Sequence, residues 1–325
     1  MATVTYLEAI SMGLREEMKR DPSVYMIGED IGIYGGAFKV TKGFIDEFGP
    51  DRVMDTPISE AGIIGVCVGS ALMGLRPVAE MQFADFISCG FNQLVNQAAK
   101  IHYRWREAVP MVVRCPSGGG VHGGPFHSQN PEAWFFHVPG LKIVSPSTPY
   151  DAKGLIKAAI RDNNPVLFFE HKFLYRRVKG EVPEDDYIVP IGKGDIKREG
   201  KDMTVIGYSS AVHWALEAAE QIQKEDGVSV EVLDMRSILP YDKDLILESV
   251  KKTNRVIIAH EATLTGGVGG DISAFITENA FEYLDAPIRR LAALDTPVPY
   301  SPPLEAHFLP NKDKMLKVMR ELAAY

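Results

Sequence analysis

The sequence predicts an α/β protein of two units, each a mostly parallel sheet with helices on both faces. Three observations predict it. Short apolar runs alternate with helical spacing along nearly the whole chain. A polar stretch punctuated by Pro and Gly interrupts that alternation once, at 176–203. The chain has 325 residues, 46% of them hydrophobic, enough for two ordinary domains or one large one.

Taken in order, Tyr6, Leu7, Ile10, Leu14 and Met18 form an apolar stripe at helical spacing, so residues 5–19 read as an amphipathic helix. Acidic residues arrive by position 8 and no long apolar core follows, so the start is not read as a signal or transit peptide. Strands are expected at 24–30, 76–83, 111–116, 142–147 and 165–171, with helices at 60–74, 90–104 and 149–161 between them. After the break, strands at 203–209, 228–237, 255–262 and 286–294 alternate with helices at 211–224, 242–251, 270–283 and 311–323. The expected division is a first domain over 1–185, a linker over 186–203 and a second domain over 204–325.

A net charge of −8 gives no basic surface for nucleic acid or an anionic membrane. No run of about twenty apolar residues predicts a membrane span. Cys67, Cys89 and Cys115 form no C-x-x-C pair, which points to a reducing, cytoplasmic setting and away from a disulfide framework or zinc.

Four stretches have residues suited to chemistry. In "DTPISEAGIIG" (55–65), Glu60 stands at the head of a helix that Thr56 or Ser59 can cap. Gly62, Gly65 and Gly69 recur on one face of that helix, so another helix can approach closely. A first-turn acid favoured by the helix dipole explains Glu60 as well as a buried carboxylate paired with a nitrogen heterocycle does. In 79–100, Gln82, Phe83 and Phe86 stand at a strand end and fit either core or ring stacking. The amides Asn92, Gln93, Asn96 and Gln97 that follow suit a buried subunit contact. The loop "SGGGVHGGPFHSQNPEAWFFHVPG" (117–140) carries His122, His127 and His137, whose spacing matches no metal motif. Each is a proton-transfer candidate or a plain hydrogen-bonder. Asp162 and Asn164 lie in an oxygen-rich turn that fits an Asx-turn or a monovalent cation. The glycine runs 117–125 and 264–271 match no phosphate-binding loop, and close backbone packing explains them better than a nicotinamide site.

Together, "IGEDIGIYGGAFKVTKGFIDEFGPDRVMDTPISEAGIIG", "GLRPVAEMQFADF", "HSQNPEAWFFHVPGLKIVSPSTPYDAKGL", "FFEHKFLYR" and "HEATLTGG" span most of the chain. In this order they resemble the beta subunit of the decarboxylating component of 2-oxo acid dehydrogenase complexes. The resemblance implies a pyrimidine-binding α/β domain followed by a transketolase C-terminal-like domain. It implies thiamine diphosphate held between two different subunits, with Glu60 sharing a proton with the pyrimidine ring, Gln82 and Phe86 flanking that ring, and Ile58 offering a main-chain contact. His127 would assist acyl transfer to the lipoyl arm. Asp162 and Asn164, with the main chain near Met111 and Val112 and the carbonyl of Ala159, match a potassium position.

The chain has no G-D-G followed by N-N, the stretch that anchors magnesium and diphosphate in thiamine enzymes that work alone. It therefore resembles half of a site. The implied partners are an alpha subunit that holds Mg2+, in an alpha2-beta2 heterotetramer, and a dihydrolipoyl acyltransferase core with its lipoyl domain, docked partly through the C-terminal domain. The implied activity is that of an oxidoreductase acting on the oxo group of a 2-oxo acid with lipoyl-protein as acceptor. "HSQNPEAWFFHVPGLKIV" and "HEATLTGG" are more similar to branched-chain members, which implies 3-methyl-2-oxobutanoate as substrate. Pyruvate or acetoin is the alternative within the family, and a scaffold subunit without a cofactor is the alternative outside it.

Overall fold

The computed structural model describes residues 1–325, and the chain divides into two units: Met1–Ser117 with Trp134–Ile191, and Gly118–Ala133 with Gly192–Tyr325. The continuous division expected from sequence differs here, because residues 118–133 group with the second unit. That grouping comes from contacts distant in sequence, which local patterning does not report.

The first unit opens with strand β1 (Ala2–Thr5) and helix α1 (Tyr6–Arg20), joined by a capping box in which Thr5 and Glu8 satisfy each other's main-chain N–H. Then come β2 (Val24–Gly28), α2 (Phe44–Phe48), β3 (Val53–Asp55), α3 (Glu60–Leu72), β4 (Arg76–Glu80), α4 (Ala99–Trp105) and β5 (Val112–Ser117). A short helix α5 (Glu132–Phe136) precedes β6 (Lys142–Val144), α6 (Pro149–Arg161), β7 (Val166–His171) and β8 (Lys179–Val182). Within this unit the parallel strand order is β6-β7-β5-β4-β2-β3, while β1 and β8 form a separate antiparallel pair. Strands β2, β5 and β7 are buried along their whole length, as expected of a parallel sheet covered on both faces. Ile10 and Leu14 of α1 share one core with Leu155 and Ile156 of α6 and with Met26 and Val78 of the sheet.

The second unit contains β9 (Asp195–Arg198), β10 (Met203–Gly207), α7 (Ser210–Asp226), β11 (Val230–Asp234), the short β12 (Ser237–Leu239), α8 (Lys243–Thr253) and β13 (Val256–Thr263). It ends with α9 (Val268–Ala280), β14 (Arg289–Ala293), α10 (Pro302–Phe308) and α11 (Lys312–Ala323). Its sheet order is β14-β13-β10-β11-β9, parallel except for β9. Ala211, Ala215 and Ala219 of α7 and Met315, Met319 and Leu322 of α11 pack in its core.

The helix expected over 90–104 is present from Phe91 to Trp105, with a π-helical stretch (Gln93–Ala98) inside it before α4, and a 3-10 segment (Ala84–Gly90) precedes it. No helix is long and apolar enough to cross a membrane.

Candidate active site

Strands β2, β3 and β4 run side by side and parallel, with Gly28 in register with both Asp55 and Glu80. Their carboxyl ends therefore deliver Glu29, Ile58–Glu60 and Gln82 to one edge of the first unit, the edge where α/β sheets take ligands. Glu60 is the first residue of α3, and its N-cap Ser59 makes no side-chain capping bond. The helix N-terminus favours a negative charge there. Glu60 is half-buried in this chain.

Beside it lies an acid that sequence reasoning missed. Glu29 is 5% exposed, and its Oε1 has no hydrogen-bond partner. Burial pushes its carboxyl above the usual range, the charge of Glu60 pushes further the same way, and the main-chain N–H of Ser59 opposes both. Glu29 follows directly on the fully buried β2. An acid at the carboxyl end of a buried strand was the available signal.

Gln82 donates from Nε2 to Asp30 Oδ2 at 3.1 Å. A carboxylate only accepts, so this bond fixes the amide with its oxygen left to receive another donor. Asp30 makes the contact from a left-handed backbone conformation, φ 57°. Phe86 meets Phe83 edge to face, with centroids 6.0 Å apart. Ile58 is 82% exposed, a large apolar side chain offered to solvent at the same edge. Behind these residues, Gly62, Gly65 and Gly69 line an exposed face of α3. Nothing lies within 4 Å of a Cβ built on Gly69, and only Gln93 Cγ, at 4.0 Å, meets one on Gly65. The helix approach allowed by these glycines is therefore not made within this chain. Asn92, Asn96 and Gln97 are exposed and Gln93 is half-buried.

His127 belongs to the second unit and is half-buried in a loop that Gly118 N–H closes by donating to Gln129 O at 3.2 Å. His122 lies in the same loop and is exposed; His137 is exposed in the first unit. Sequence reasoning also missed the two acids that hold this loop, Glu261 and Glu305. Glu261 adjoins His260, a fully buried residue of β13. His260 Nδ1 lies 3.1 Å from Ala262 O, so Nδ1 carries the ring proton. Burial drives its pKa down to about 4, and Arg290 adds to the shift. Cβ atoms on Gly267 and Gly269 would stand 2.5 Å and 2.9 Å from the imidazole, which is why "HEATLTGGVG" needs glycine at 267 and 269.

The expected cation residues come together where α6 ends and β5 and β7 begin. Asp162 caps α6, and its Oδ1 accepts from the main-chain N–H of Asn164 at 2.8 Å. Its Oδ2 accepts from Lys142 Nζ at 2.5 Å. Arg76 Nη1 donates to the carbonyls of Ile160 and Asp162 at 2.8 and 3.0 Å. Met111 O accepts from Val166 N–H at 2.9 Å, and Val112 and Ala159 are both buried. Asn164 Nδ2 also donates to Asp162 Oδ1 at 3.1 Å, so with the Asp162 carboxylate engaged, the Asn164 side-chain oxygen and main-chain carbonyls are the oxygen donors left for a cation.

Residues 2–178 match the transketolase pyrimidine-binding domain, and residues 192–315 match the transketolase C-terminal domain. The chain is 53% identical to the 2-oxoisovalerate dehydrogenase subunit beta of Bacillus subtilis (strain 168), with all of both chains covered. It is 47% identical to the acetoin:2,6-dichlorophenolindophenol oxidoreductase subunit beta of the same organism, over 98% of this chain and 97% of that one. It is 44% identical to that organism's pyruvate dehydrogenase E1 component subunit beta, over all of both chains. Its fold matches a solved split-gene transketolase, an inactive beta4 tetramer, with a TM-score of 0.81 and 20% identity over 99% of this chain and 98% of the other. The chain belongs to the family of beta subunits of 2-oxo acid dehydrogenase first components, with a transketolase-type pyrimidine-binding domain followed by a transketolase C-terminal domain.

Proposed function

We propose that the chain is the beta half of a thiamine diphosphate-dependent branched-chain 2-oxo acid dehydrogenase. It would act on 3-methyl-2-oxobutanoate and related acids and pass the acyl group to a lipoyl domain. The observation that carries the chemistry is the acid pair at the sheet edge: Glu60 at a helix N-terminus beside Glu29, which is buried with one oxygen unsatisfied.

The residues fit the cofactor's pyrimidine end. An orphaned carboxyl oxygen, an amide aligned by Asp30, an aromatic side chain and an exposed Ile58 form a set with donors, acceptors and an apolar face. Bound thiamine diphosphate supplies the carbon nucleophile and the electron sink. Glu60 holds a proton between itself and the ring nitrogen, and the helix N-terminus steadies its charge. Glu29 retains a proton to higher pH than an ordinary carboxyl, so the pair avoids carrying two full charges side by side. Gln82 orients the ring through its free amide oxygen, Phe86 keeps water from one side, and the main chain of Ile58 offers a contact. His127 assists acyl transfer to the lipoyl arm.

The diphosphate grip and Mg2+ fall to an alpha subunit in an alpha2-beta2 heterotetramer. The open face of Gly62, Gly65 and Gly69, flanked by exposed Val66, Leu72 and Met73, supports this reading, because an apolar helix face of this kind seeks a close partner. Potassium would be held by main-chain carbonyls around Met111, Val112, Ala159, Asp162 and Asn164. A cytoplasmic setting agrees with the three free cysteines, and the acyltransferase core would dock on the assembled complex.

The substrate reading rests on 53% identity to a 2-oxoisovalerate dehydrogenase beta subunit, against 47% and 44% to acetoin and pyruvate relatives. The reconstituted alpha–beta pair should decarboxylate 3-methyl-2-oxobutanoate with a higher kcat/KM than pyruvate. The reverse order would transfer the assignment to pyruvate. Glu60→Gln should lower turnover by ~10²-fold or more. Unchanged turnover and cofactor affinity would leave a scaffold.

A further inference from the structure

The proposed mechanism makes no use of a second group of buried acids, all within the second unit. Glu261, at 6% exposure, accepts from Gly119 N–H at 2.6 Å and from Asn130 Nδ2 at 3.0 Å with one oxygen. Its other oxygen accepts from Ser210 Oγ at 3.1 Å, at the head of α7. Glu305, at 1% exposure, accepts from Gly120 N–H at 3.0 Å, and its Oε2 lies 2.5 Å from His122 Nδ1. The two carboxylates thus grip both ends and the middle of a single loop, 118–130. Between the grips sits His127, whose own N–H donates to Gly124 O at 3.4 Å.

The loop needs such anchors. Gly118, Gly120, His122 and Gly124 all have positive φ, a conformation that His122 adopts at +59° without glycine's freedom. A Cβ on Gly124 would overlap the Tyr300 ring at 2.2 Å, so the loop also lies against that side chain. A conformation this far from the usual minima persists only where its surroundings over-determine it. Charge-assisted bonds from main-chain N–H groups to buried carboxylates do so here.

We propose that Glu261 and Glu305 are positioning residues that hold the 118–130 loop in the shape that aims His127. This rests on the reading that His127 assists acyl transfer. The two acids would then set the lipoyl step rather than decarboxylation. Displacing a catalytic group by about 1 Å can lower a rate ~10²-fold.

The test uses the assembled alpha–beta enzyme and two assays: acylation of a lipoyl domain, and oxidation of the 2-oxo acid with 2,6-dichlorophenolindophenol as electron acceptor. Glu261→Ala should lower the ratio of the first rate to the second by ~10²-fold. Glu261→Gln should restore it, because its amide oxygen still accepts from Gly119 and Asn130 while its N–H2 faces the Ser210 hydroxyl. Hydrogen exchange at the Gly119 and Gly120 amides should speed up in Glu261→Ala and in Glu305→Ala. If Glu261→Ala does not assemble, Asn130→Ala removes a single grip and carries the same test. A ratio that stays constant while both rates fall would make the acids merely structural and overturn the proposal. So would wild-type ratio and wild-type exchange. His127→Ala is the control: if it leaves the ratio intact, the role of His127 fails, and exchange at Gly119 and Gly120 alone then decides whether the acids hold the loop.

Discussion

Glu29 and Glu60 in the first unit, and Glu261 and Glu305 in the second, are acids withdrawn from bulk water to different degrees and served in opposite ways. Glu261 is less exposed than Glu60 and receives three donors. Glu29 is as buried as Glu261, yet one of its oxygens has no partner and its neighbour is another acid. A carboxylate surrounded by N–H and O–H groups is held in place by them and serves as an anchor. A carboxyl short of donors beside a like charge keeps its proton to higher pH than an ordinary one, which suits it to proton exchange. The same side chain is thus a clamp in one setting and a proton handler in another, and the number of donors around it decides which.

The largest effect that sharpens this contrast lies in the first unit, at acids that are both buried and served. Arg114 is fully buried and bonds Glu170 through Nε and Nη2 at 2.7 and 2.8 Å, while Nη1 pairs with Glu80. Tyr175 OH adds a 2.7 Å bond to Glu170. Desolvation still pushes the Glu80 carboxyl upward, and Arg114 is what opposes it. Arg114→Met should destabilise the unit by about 3–5 kcal/mol, because two buried acids lose their counter-charge. A loss under about 1 kcal/mol in chemical denaturation would break the claim that donors decide the state of an acid here.

Next comes His260, the neighbour of the anchored Glu261. Its folded pKa of about 4 lies below the ordinary 6.5, so the unfolded chain binds the extra proton. Stability from this group is complete above pH 6.5 and falls as pH drops toward 4, by roughly 3 kcal/mol in total. His260→Gln should remove that part of the slope. Equal pH slopes for both proteins in denaturant titrations between pH 7 and 4 would contradict the buried, neutral ring. Glu60→Gln, with its ~10²-fold loss of turnover, tests the unserved pair directly. It corresponds to about 2.7 kcal/mol of barrier.

Much of this arrangement was legible in the sequence, and the reasons are local. The helix expected at 149–161 has both ends where they were placed, because Thr148 caps it and Pro149 opens it. Glu60 was placed at a helix head because Thr, Pro and Ser precede it and glycines repeat after it. The interruption of 90–104 by a π-helical segment was not legible, since its apolar spacing still reads as helix. Strands β1 and β3 have four and three residues, too few to show a period. The grip of Glu261 on Gly119 links positions 142 residues apart, and nothing in either stretch announces the other. Glu29 went unread because a strand-end acid looks like any turn acid until the neighbouring strand brings Glu60 beside it.

The smallest expected effect is at Glu29, and its sign separates the two kinds of acid most cleanly. Its folded pKa is raised, by burial first and by Glu60 second, so the folded chain holds the proton more tightly than the unfolded one. Below the ordinary value of 4.5 both states are protonated, and the group has no effect on stability. As pH rises through and beyond that value, the folded state must either keep a proton the unfolded state has released or carry an unsatisfied charge. Stability therefore falls with rising pH and levels off above the folded pKa. Glu29→Gln removes this loss, so its Tm should exceed that of wild type at pH 7, by about 2–4 °C at most, and match it near pH 4. Glu261→Gln, which removes the charge of an acid that has its donors, should show no such gain. A Tm difference for Glu29→Gln that is flat across this range would mean that the acid is already satisfied, and the distinction between the two kinds of acid would lose its physical basis.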